Sequence, residues 1–543
     1  MKRILLPFAF IIAGLASSAQ ISADIEAYSA KHANLDFESD LIEVSMPSLD
    51  MSVIEAEDTD GKNAEVYMIS RHHHVNLNLS NSGTWTDVAG GKLWRLKVRS
   101  RDAKGLILYY NDFFMPNGAT MHVFNEDKSH VLGAFTSVNN KEGNVFATDI
   151  TRGESCTIEY FEPDAVIGLG RISIDKVSHV YRGMKERSTE ERSDPCEVDV
   201  RCPEGDDWGP QIDGVVKIIV VSNQGSGFCS GSVINNSAQD CAPYILTAMH
   251  CGVNLSASLY NQWVFQFNRQ KACGGSGLIE GTQAITGGTR RAHSNDGGGN
   301  SGSDYMLMEL SSQIPNSYGA YYNGWNKSTA ASPSGVSIHH PAGDIKKIST
   351  YSNSLVSTNW GSAAGSHWRV RWVATVTNHG VTEGGSSGSP IFDNNGYIVG
   401  QLTGGSSYCV SPNQPDLYGK MSYNWTSNPG DDLKNWLDPT NSGVTTLEGR
   451  YWPCPNGIED KVLEDRTNIY PNPSTGLFTL EMKDNIGLVN VNVYNSLGAL
   501  VASYQMSNGL SIQLDLSRFE NGLYYVNLTS ENAQTTKRIS LVK

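Results

Sequence analysis

The sequence predicts an all-β protein built from three β-rich units, on three observations. Short stretches alternate apolar and polar residues with period two, as in Trp94-Arg95-Leu96-Lys97-Val98 and Val489-Asn490-Val491-Asn492-Val493-Tyr494. Turn-forming residues separate them: 54 of the 543 residues are glycine, and Pro116-Asn117-Gly118 and Asn521-Gly522 are two such breaks. Between the first two units lies Lys185-Glu186-Arg187-Ser188-Thr189-Glu190-Glu191-Arg192-Ser193-Asp194, a run with no apolar residue that cannot bury itself. At roughly 150 residues per domain the length suits about three or four domains. Hydrophobic residues are 39% and charged residues 18%, which fits globular structure rather than disorder or coiled coil. The net charge of -15 argues against a partner bound through phosphate neutralisation, so no nucleic acid is expected.

Residues 1–20 read as a secretory signal peptide. Lys2 and Arg3 precede the apolar stretch Leu5 to Leu15, and Ala16-Ser17-Ser18-Ala19 supplies small residues for cleavage. That stretch is too short to span a bilayer, and no later one is long and apolar enough, so no transmembrane segment is expected. Residues 21–192 form the first unit, with Trp94–Val98, Ile107–Tyr110 and Met121–Phe124 as strands of a small β-sandwich. The second unit, 193–447, has strands at Val215–Val221, Tyr244–Ala248 and Ile398–Leu402, and a helix at Asp431–Leu437 whose Leu433, Trp436 and Leu437 share a face. A linker at 448–466 leads to a second β-sandwich at 467–543, with strands at Val489–Tyr494 and Tyr524–Leu528. No longer repeat marks a solenoid.

Nine cysteines suit an oxidising, extracytoplasmic destination. Cys156 stands alone in the first unit and reads as a buried thiol. Cys196, Cys202, Cys229, Cys241, Cys251, Cys273, Cys409 and Cys454 lie together, an even number whose pairing spacing alone leaves open. No close Cys-x-x-Cys pair suggests a metal site, and no cofactor is expected.

Three motifs in the second unit belong together. Leu246-Thr247-Ala248-Met249-His250-Cys251 runs a strand into a histidine, Ser303-Asp304-Tyr305-Met306-Leu307-Met308-Glu309-Leu310 opens a strand with an aspartate, and Glu383-Gly384-Gly385-Ser386-Ser387-Gly388-Ser389-Pro390 presents serines in a glycine-rich loop. A serine hydroxyl needs a neighbouring base, and that base needs an orienting carboxylate. Glycines beside the serine let backbone N–H groups approach a developing oxyanion. Gly384 to Gly388 also fits the nucleophile elbow of α/β-hydrolases, but that fold places its histidine after the serine, and His379 is the last histidine in the chain. A subtilisin-like order would need alternating strands and helices, whereas this region reads as nearly all β.

Here the sequence resembles the trypsin-fold serine proteases, and specifically bacterial lysyl endopeptidases. The shared stretches are Cys202–Asp206, Leu246–Gly252, Ile338-His339-His340-Pro341, Gly380-Val381-Thr382-Glu383, Gly385–Ile391, Gly400-Gln401-Leu402 with Gly404-Gly405, and Asn435-Trp436-Leu437-Asp438-Pro439. The resemblance implies a trypsin-like double β-barrel with His250 as base, Asp304 as orienting acid, Ser387 as nucleophile, and the N–H groups of Gly385 and Ser387 as oxyanion hole. It implies Asp416 at the base of the pocket for the substrate's basic side chain, with Thr382 and Ser407 lining it. Trp372, or alternatively Trp360, is the expected aromatic near the site. It pairs Cys196 with Cys409, Cys202 with Cys273 and Cys229 with Cys251, which leaves Cys241 for Cys454. The family histidine before Gly404-Gly405 is Thr403 here, which puts the pH range and rate in question. Residues 21–192 resemble a protease propeptide. Residues 467–543 resemble the type A sorting domain of the type IX secretion system, marked by Ile469-Tyr470-Pro471-Asn472-Pro473 and Gly522-Leu523-Tyr524.

The expectation is a secreted, monomeric serine endopeptidase, made as a zymogen, whose partners are protein substrates and the type IX secretion machinery. It cuts after basic residues, lysine first. The alternatives are an arginine-preferring or dual enzyme, a non-catalytic surface adhesin on the same scaffold, and an esterase with the same triad. Aspartates in such loops also serve as Asx turns, the bland reading of Asp416. His72-His73-His74 reads as a solvated loop, and His339 and His340 receive no chemistry.

Overall fold

The computed structural model describes residues 19–20, 23, 25–32, 41–60, 66–182, 193–274, 283–451, 466–483, 489–495, 500–506, 511–530 and 534–543. The signal peptide up to residue 18, most of the charged run, and Cys454 lie outside the described residues.

The N-terminal unit is a sandwich of two sheets. One orders Phe146–Ala147, Gly105–Phe114, Arg171–Val180 and Ser70–Asn78; the other orders Glu43–Ser45, Gly91–Arg99, Ser155–Pro163, Thr120–Asn125 and Val131–Phe135. Alternation sends one face of each strand into the shared core. Ile158 sits between its cross-strand partners Leu96 and Val123, and none of the three is exposed. Cys156, on the same strand, is a free buried thiol, and burial pushes its pKa up to about 12. One reading of this unit is corrected, and one element was not anticipated. His72–His74 is part of the strand Ser70–Asn78, with His73 buried, because pairing on a sheet outweighs the polarity of the run. A helix at Met51–Asp60 had no periodic signal, since Ile54 is its buried apolar residue among acidic neighbours.

The second unit carries two sheets whose main strands pair antiparallel, with short parallel additions at Ala19–Gln20 and Trp325–Asn326. The first orders Gln283–Thr286, Val264–Phe267, Val215–Val221, Ser226–Val233, Tyr244–Ala248, Tyr305–Leu310 and Gly288–His293. The second orders Lys347–Tyr351, Gly335–His339, Pro390–Asp393, Ile398–Gly405, Asp416–Lys420, Ala363–Val370 and Val356–Trp360. Val215–Val221 is buried throughout and apolar except for Lys217, whose ammonium lies over the Phe228 ring. The predicted helix is Leu433–Leu437, with Asp432 at its N-cap and Leu433 and Leu437 buried. Bridges Cys196–Cys409, Cys202–Cys273 and Cys229–Cys251 are present.

The first two units are not separate bodies. Residues up to Ser311 and Tyr321–Arg450 form one compact unit. Tyr67–Met68 adds to the first sheet by pairing with Gly227–Phe228, and Tyr109 Oη and Ser226 Oγ share a hydrogen bond of 2.7 Å across the junction. The charged run hid this contact, because it makes the units look independent.

The C-terminal unit stacks the sheet of Thr467–Tyr470, Leu477–Met482 and Ser511–Asp515 with that of Leu500–Met506, Val489–Asn495, Gly522–Thr529 and Gln534–Leu541. Phe478, Leu480, Val491, Val493, Val526 and Leu528 fill its core. Among the described residues no helix is long and apolar enough to cross a membrane.

Truncating a fully buried branched side chain costs about 2–5 kcal/mol. Ile158→Ala is therefore expected to lower the urea midpoint of the compact unit that the N-terminal sandwich shares with the central region, followed by tryptophan fluorescence, while the transition of the C-terminal unit, which has no tryptophan within 467–543 and is followed by circular dichroism, stays in place.

Candidate active site

The strand Tyr244–Ala248 ends in a tight turn, Met249–Gly252, that carries His250. Asp304, just before the strand Tyr305–Leu310, takes both of its carboxylate contacts from this one residue. His250 Nδ1 donates to Oδ2 at 2.6 Å and the His250 backbone N–H donates to Oδ1 at 2.8 Å. A carboxylate only accepts, so Nδ1 bears the hydrogen and Nε2 is left as the basic nitrogen. Asp304 is fully buried, and burial, the largest influence, raises its pKa against the lowering effect of His250. Its φ of 58° lies in the left-handed region that non-glycine residues rarely occupy. The preceding residue is pinned from the second sheet, where Gln401 Nε2 donates to Ser303 O at 2.7 Å.

The glycine-rich loop comes from the second sheet and wedges against the first. The Ser230 N–H donates to Ser387 O at 2.8 Å and the Gly388 N–H to Leu402 O at 2.8 Å. Gly388 has φ 81°, and a Cβ there would stand 2.2 Å from Thr247 Oγ1 and 2.5 Å from Ser230 O. No other residue fits at that position. The contact sets Ser387, which is partly exposed, beside the strand that delivers His250; Cys251 Sγ is 4.0 Å from Ser387 O. The Cys229–Cys251 bridge staples the His250 turn to the strand Ser226–Val233. Cys229, His250 and Cys251 bring three potential metal donors together, but both sulfurs are spent in that disulfide, so no thiolate remains to ligate an ion.

A second buried carboxylate lies at Asp416, the first residue of Asp416–Lys420 and 1% exposed. Its Oδ2 accepts from Trp372 Nε1 at 2.6 Å, Thr382 Oγ1 at 2.8 Å and Ser407 Oγ at 2.6 Å, and its Oδ1 accepts from the Ser407 N–H at 3.1 Å. Burial raises its pKa, and these donors oppose the rise. The indole, the two hydroxyls and the backbone N–H that donate to it are all neutral. Ser407 is two residues from Cys409, whose bridge to Cys196 holds this wall. Trp372 thus meets Asp416 directly.

Sequence reading missed His367. It stacks on Trp360, with ring centroids 5.4 Å apart and planes 28° apart, and its Nε2 is 2.9 Å from Thr403 Oγ1. Burial lowers its pKa to about 3, so it is neutral. Thr403, where the resemblance expected a histidine, therefore meets one from the strand Ala363–Val370. No local signal could have found it, because the pairing of His367 with Gly419 is long-range.

Residues 190–419 match the family described as lysyl endopeptidase, C-terminal domain, and residues 468–542 match the secretion system C-terminal sorting domain. The central domain is a lysyl endopeptidase-like protease domain. The lysyl endopeptidase of Pseudomonas aeruginosa is 25% identical over 389 residues, 68% of this chain and 75% of that protein. An endo-acting ulvan lyase of Formosa agariphila is 31% identical over 86 residues, 16% of each chain. The Rv3671c protease of M. tuberculosis, in its active form, aligns at 14% identity and a TM-score of 0.27, over 44% of this chain and 90% of that one. The lysyl endopeptidase-like domain has the all-β trypsin-like protease fold. With the sorting domain behind it, the protein is a secreted protease exported across the outer membrane.

Gly388→Ala is expected to cripple the lysyl endopeptidase-like domain without unfolding it. The loop must move to clear Thr247 and Ser230, and a misplacement of about 1 Å can cost on the order of a hundredfold in rate. Peptidase assays alongside circular dichroism check this.

Proposed function

We propose that the protein is a serine endopeptidase that cuts on the carboxyl side of lysine and is made as a zymogen. The observation that carries this reading is Asp304 holding His250 through both carboxylate oxygens, with the Ser387 loop wedged against the same strand. In this reading Ser387 Oγ attacks the scissile carbonyl carbon as its proton passes to His250 Nε2. Asp304 stabilises the imidazolium that forms. The N–H groups of Gly385 and Ser387 donate to the oxyanion; the φ of 96° at Gly385 suits a glycine there. His250 then gives the proton to the leaving amine, and water enters by the same route to release the acyl group.

Asp416 supports the choice of lysine. A buried carboxylate without a counter-ion is costly, so the pocket favours a substrate that brings a cation. An arginine fork prefers two free carboxylate oxygens side by side. Both oxygens of Asp416 already accept protein donors, and Thr382 Oγ1 and Ser407 Oγ stand beside Oδ2 as further acceptors. Three donors on a compact lysine ammonium suit that arrangement.

Residues 21–192 act as the propeptide and 193–447 as the protease domain. Support comes from Tyr67, which pairs with Phe228 and lies against the nucleophile loop: a Cβ at Gly384 would stand 2.7 Å from its ring. Cutting the charged run would free this cover.

Ser387→Ala is expected to abolish peptidase activity while leaving the fold intact; retained activity in the purified variant would refute the serine mechanism. Asp416→Asn removes one partner of a buried ion pair, worth about 3–5 kcal/mol, or roughly a hundredfold to several thousandfold in kcat/KM. Mass-spectrometric mapping of cleavage sites in a denatured protein mixture should show cuts after lysine lost in this variant, and unaltered cuts would remove Asp416 from the pocket.

A further inference from the structure

His339 closes the strand Gly335–His339 and is fully buried. Its Nδ1 is 2.8 Å from Ser386 Oγ and its Nε2 is 3.0 Å from Ser349 Oγ. The direction of these bonds follows from one further contact. The Ser349 hydroxyl donates its single hydrogen to Val381 O at 2.6 Å. Ser349 Oγ must therefore accept from His339, so Nε2 bears the hydrogen and Nδ1 is bare. The Ser386 hydroxyl then donates to Nδ1, while its oxygen accepts the Glu383 N–H at 3.2 Å. The chain runs Ser386 to His339 to Ser349 to Val381. One end adjoins Ser387, and the other adjoins Thr382, which bonds Asp416.

Only a neutral imidazole can accept at Nδ1 and donate at Nε2. Burial first, and then the charge of Lys347, lower the His339 pKa to about 3. Glu197 Oε2, 3.9 Å from Nε2, is too far to compete for that hydrogen. The residues that follow His339 hold the same loop. The His340 N–H donates to Ser230 Oγ at 3.0 Å, Ser230 Oγ donates to Gly385 O at 3.0 Å, and the Ala342 N–H donates to Gly384 O at 2.6 Å.

We propose that His339 is a positioning residue that ties the nucleophile loop to the wall of the lysine pocket, so that the seat of the substrate side chain and the placement of Ser387 are set by one buried imidazole. The proposal rests on the serine-protease reading above. His339 touches no substrate and transfers no proton in the reaction.

Two substitutions divide the chain. In His339→Asn the side-chain oxygen can take the place of Nδ1 and still accept from Ser386, but Ser349 is out of reach. In His339→Gln the side-chain N–H can still reach Ser349, but Ser386 loses its acceptor. Loss of one buried hydrogen bond corresponds to about tenfold. His339→Asn is expected to raise KM for a lysyl peptide about tenfold with kcat held, and His339→Gln to lower kcat about tenfold with KM held. Rates are normalised to active sites titrated with an organophosphate, so that unfolded protein drops out. Ser386→Ala should match His339→Gln, and the double variant should be no worse than either. If the histidine variants do not fold, Ser386→Ala and Ser349→Ala carry the same split. Variants that move kcat and KM together, variants that leave both unchanged, or losses that multiply in the double variant overturn the proposal while wild-type labelling of Ser387 stands. Failure of the matured, unsubstituted protein, cut in the charged run and freed of residues 21–192, to take the organophosphate on Ser387 strikes the serine-protease reading instead.

Discussion

The 2.6 Å hydrogen bond from His250 Nδ1 to Asp304 is the interaction on which the rest of the structure depends. An unpaired carboxylate buried this deeply would be costly. Asp304 meets that cost by accepting two hydrogen bonds from a single residue, and doing so it fixes the imidazole's tautomer as well as its orientation. The left-handed backbone at Asp304 and the brace from Gln401 are consistent with a residue held where its neighbours need it rather than where its own conformational preference would put it.

The two sheets divide the work. The first delivers His250 and Asp304, and the second delivers the loop of Ser387 and the wall of Asp416. They meet where Gly388 presses on Thr247 and Ser230, a contact that allows no side chain. Disulfides fall at the two most exacting points. Cys229–Cys251 holds the histidine turn, and Cys196–Cys409 holds the wall beside Asp416. Both carboxylates are buried but differ in their partners. Asp304 has an imidazole beside it, whereas the donors to Asp416 are hydroxyls, an indole and a backbone N–H. That difference suits one to steady a charge that forms during reaction and the other to receive a charge that arrives with a ligand.

Much of this was legible because the signals are local. Val215–Val221, apolar but for Lys217, and Tyr244–Ala248, apolar but for Thr247, are β-type runs bounded by turns, and the strands carry those bounds. The residues around His250, Asp304 and Ser387 are distinctive over six to eight positions each, and resemblance gathered Asp416, Thr382 and Ser407 into one pocket. What stayed hidden depends on contacts distant in sequence. The stacking of His367 on Trp360 and its bond to Thr403 join three strands. The seating of Tyr67 on Phe228 bridges two units that look independent, and the helix Met51–Asp60 shows no period because so little of it is buried. His72–His74 looked like a loop by composition, yet cross-strand pairing with Arg171–Val180 decides its conformation.

The central claim concerns which nitrogen of His250 carries the hydrogen, and nitrogen-15 NMR of histidine-labelled protein at neutral pH observes it directly. The account predicts a protonated Nδ1 with a far-downfield proton that Asp304→Asn abolishes, and an Nε2 without hydrogen. A His250 protonated at Nε2 with Nδ1 bare, and unaffected by replacing Asp304, would contradict it.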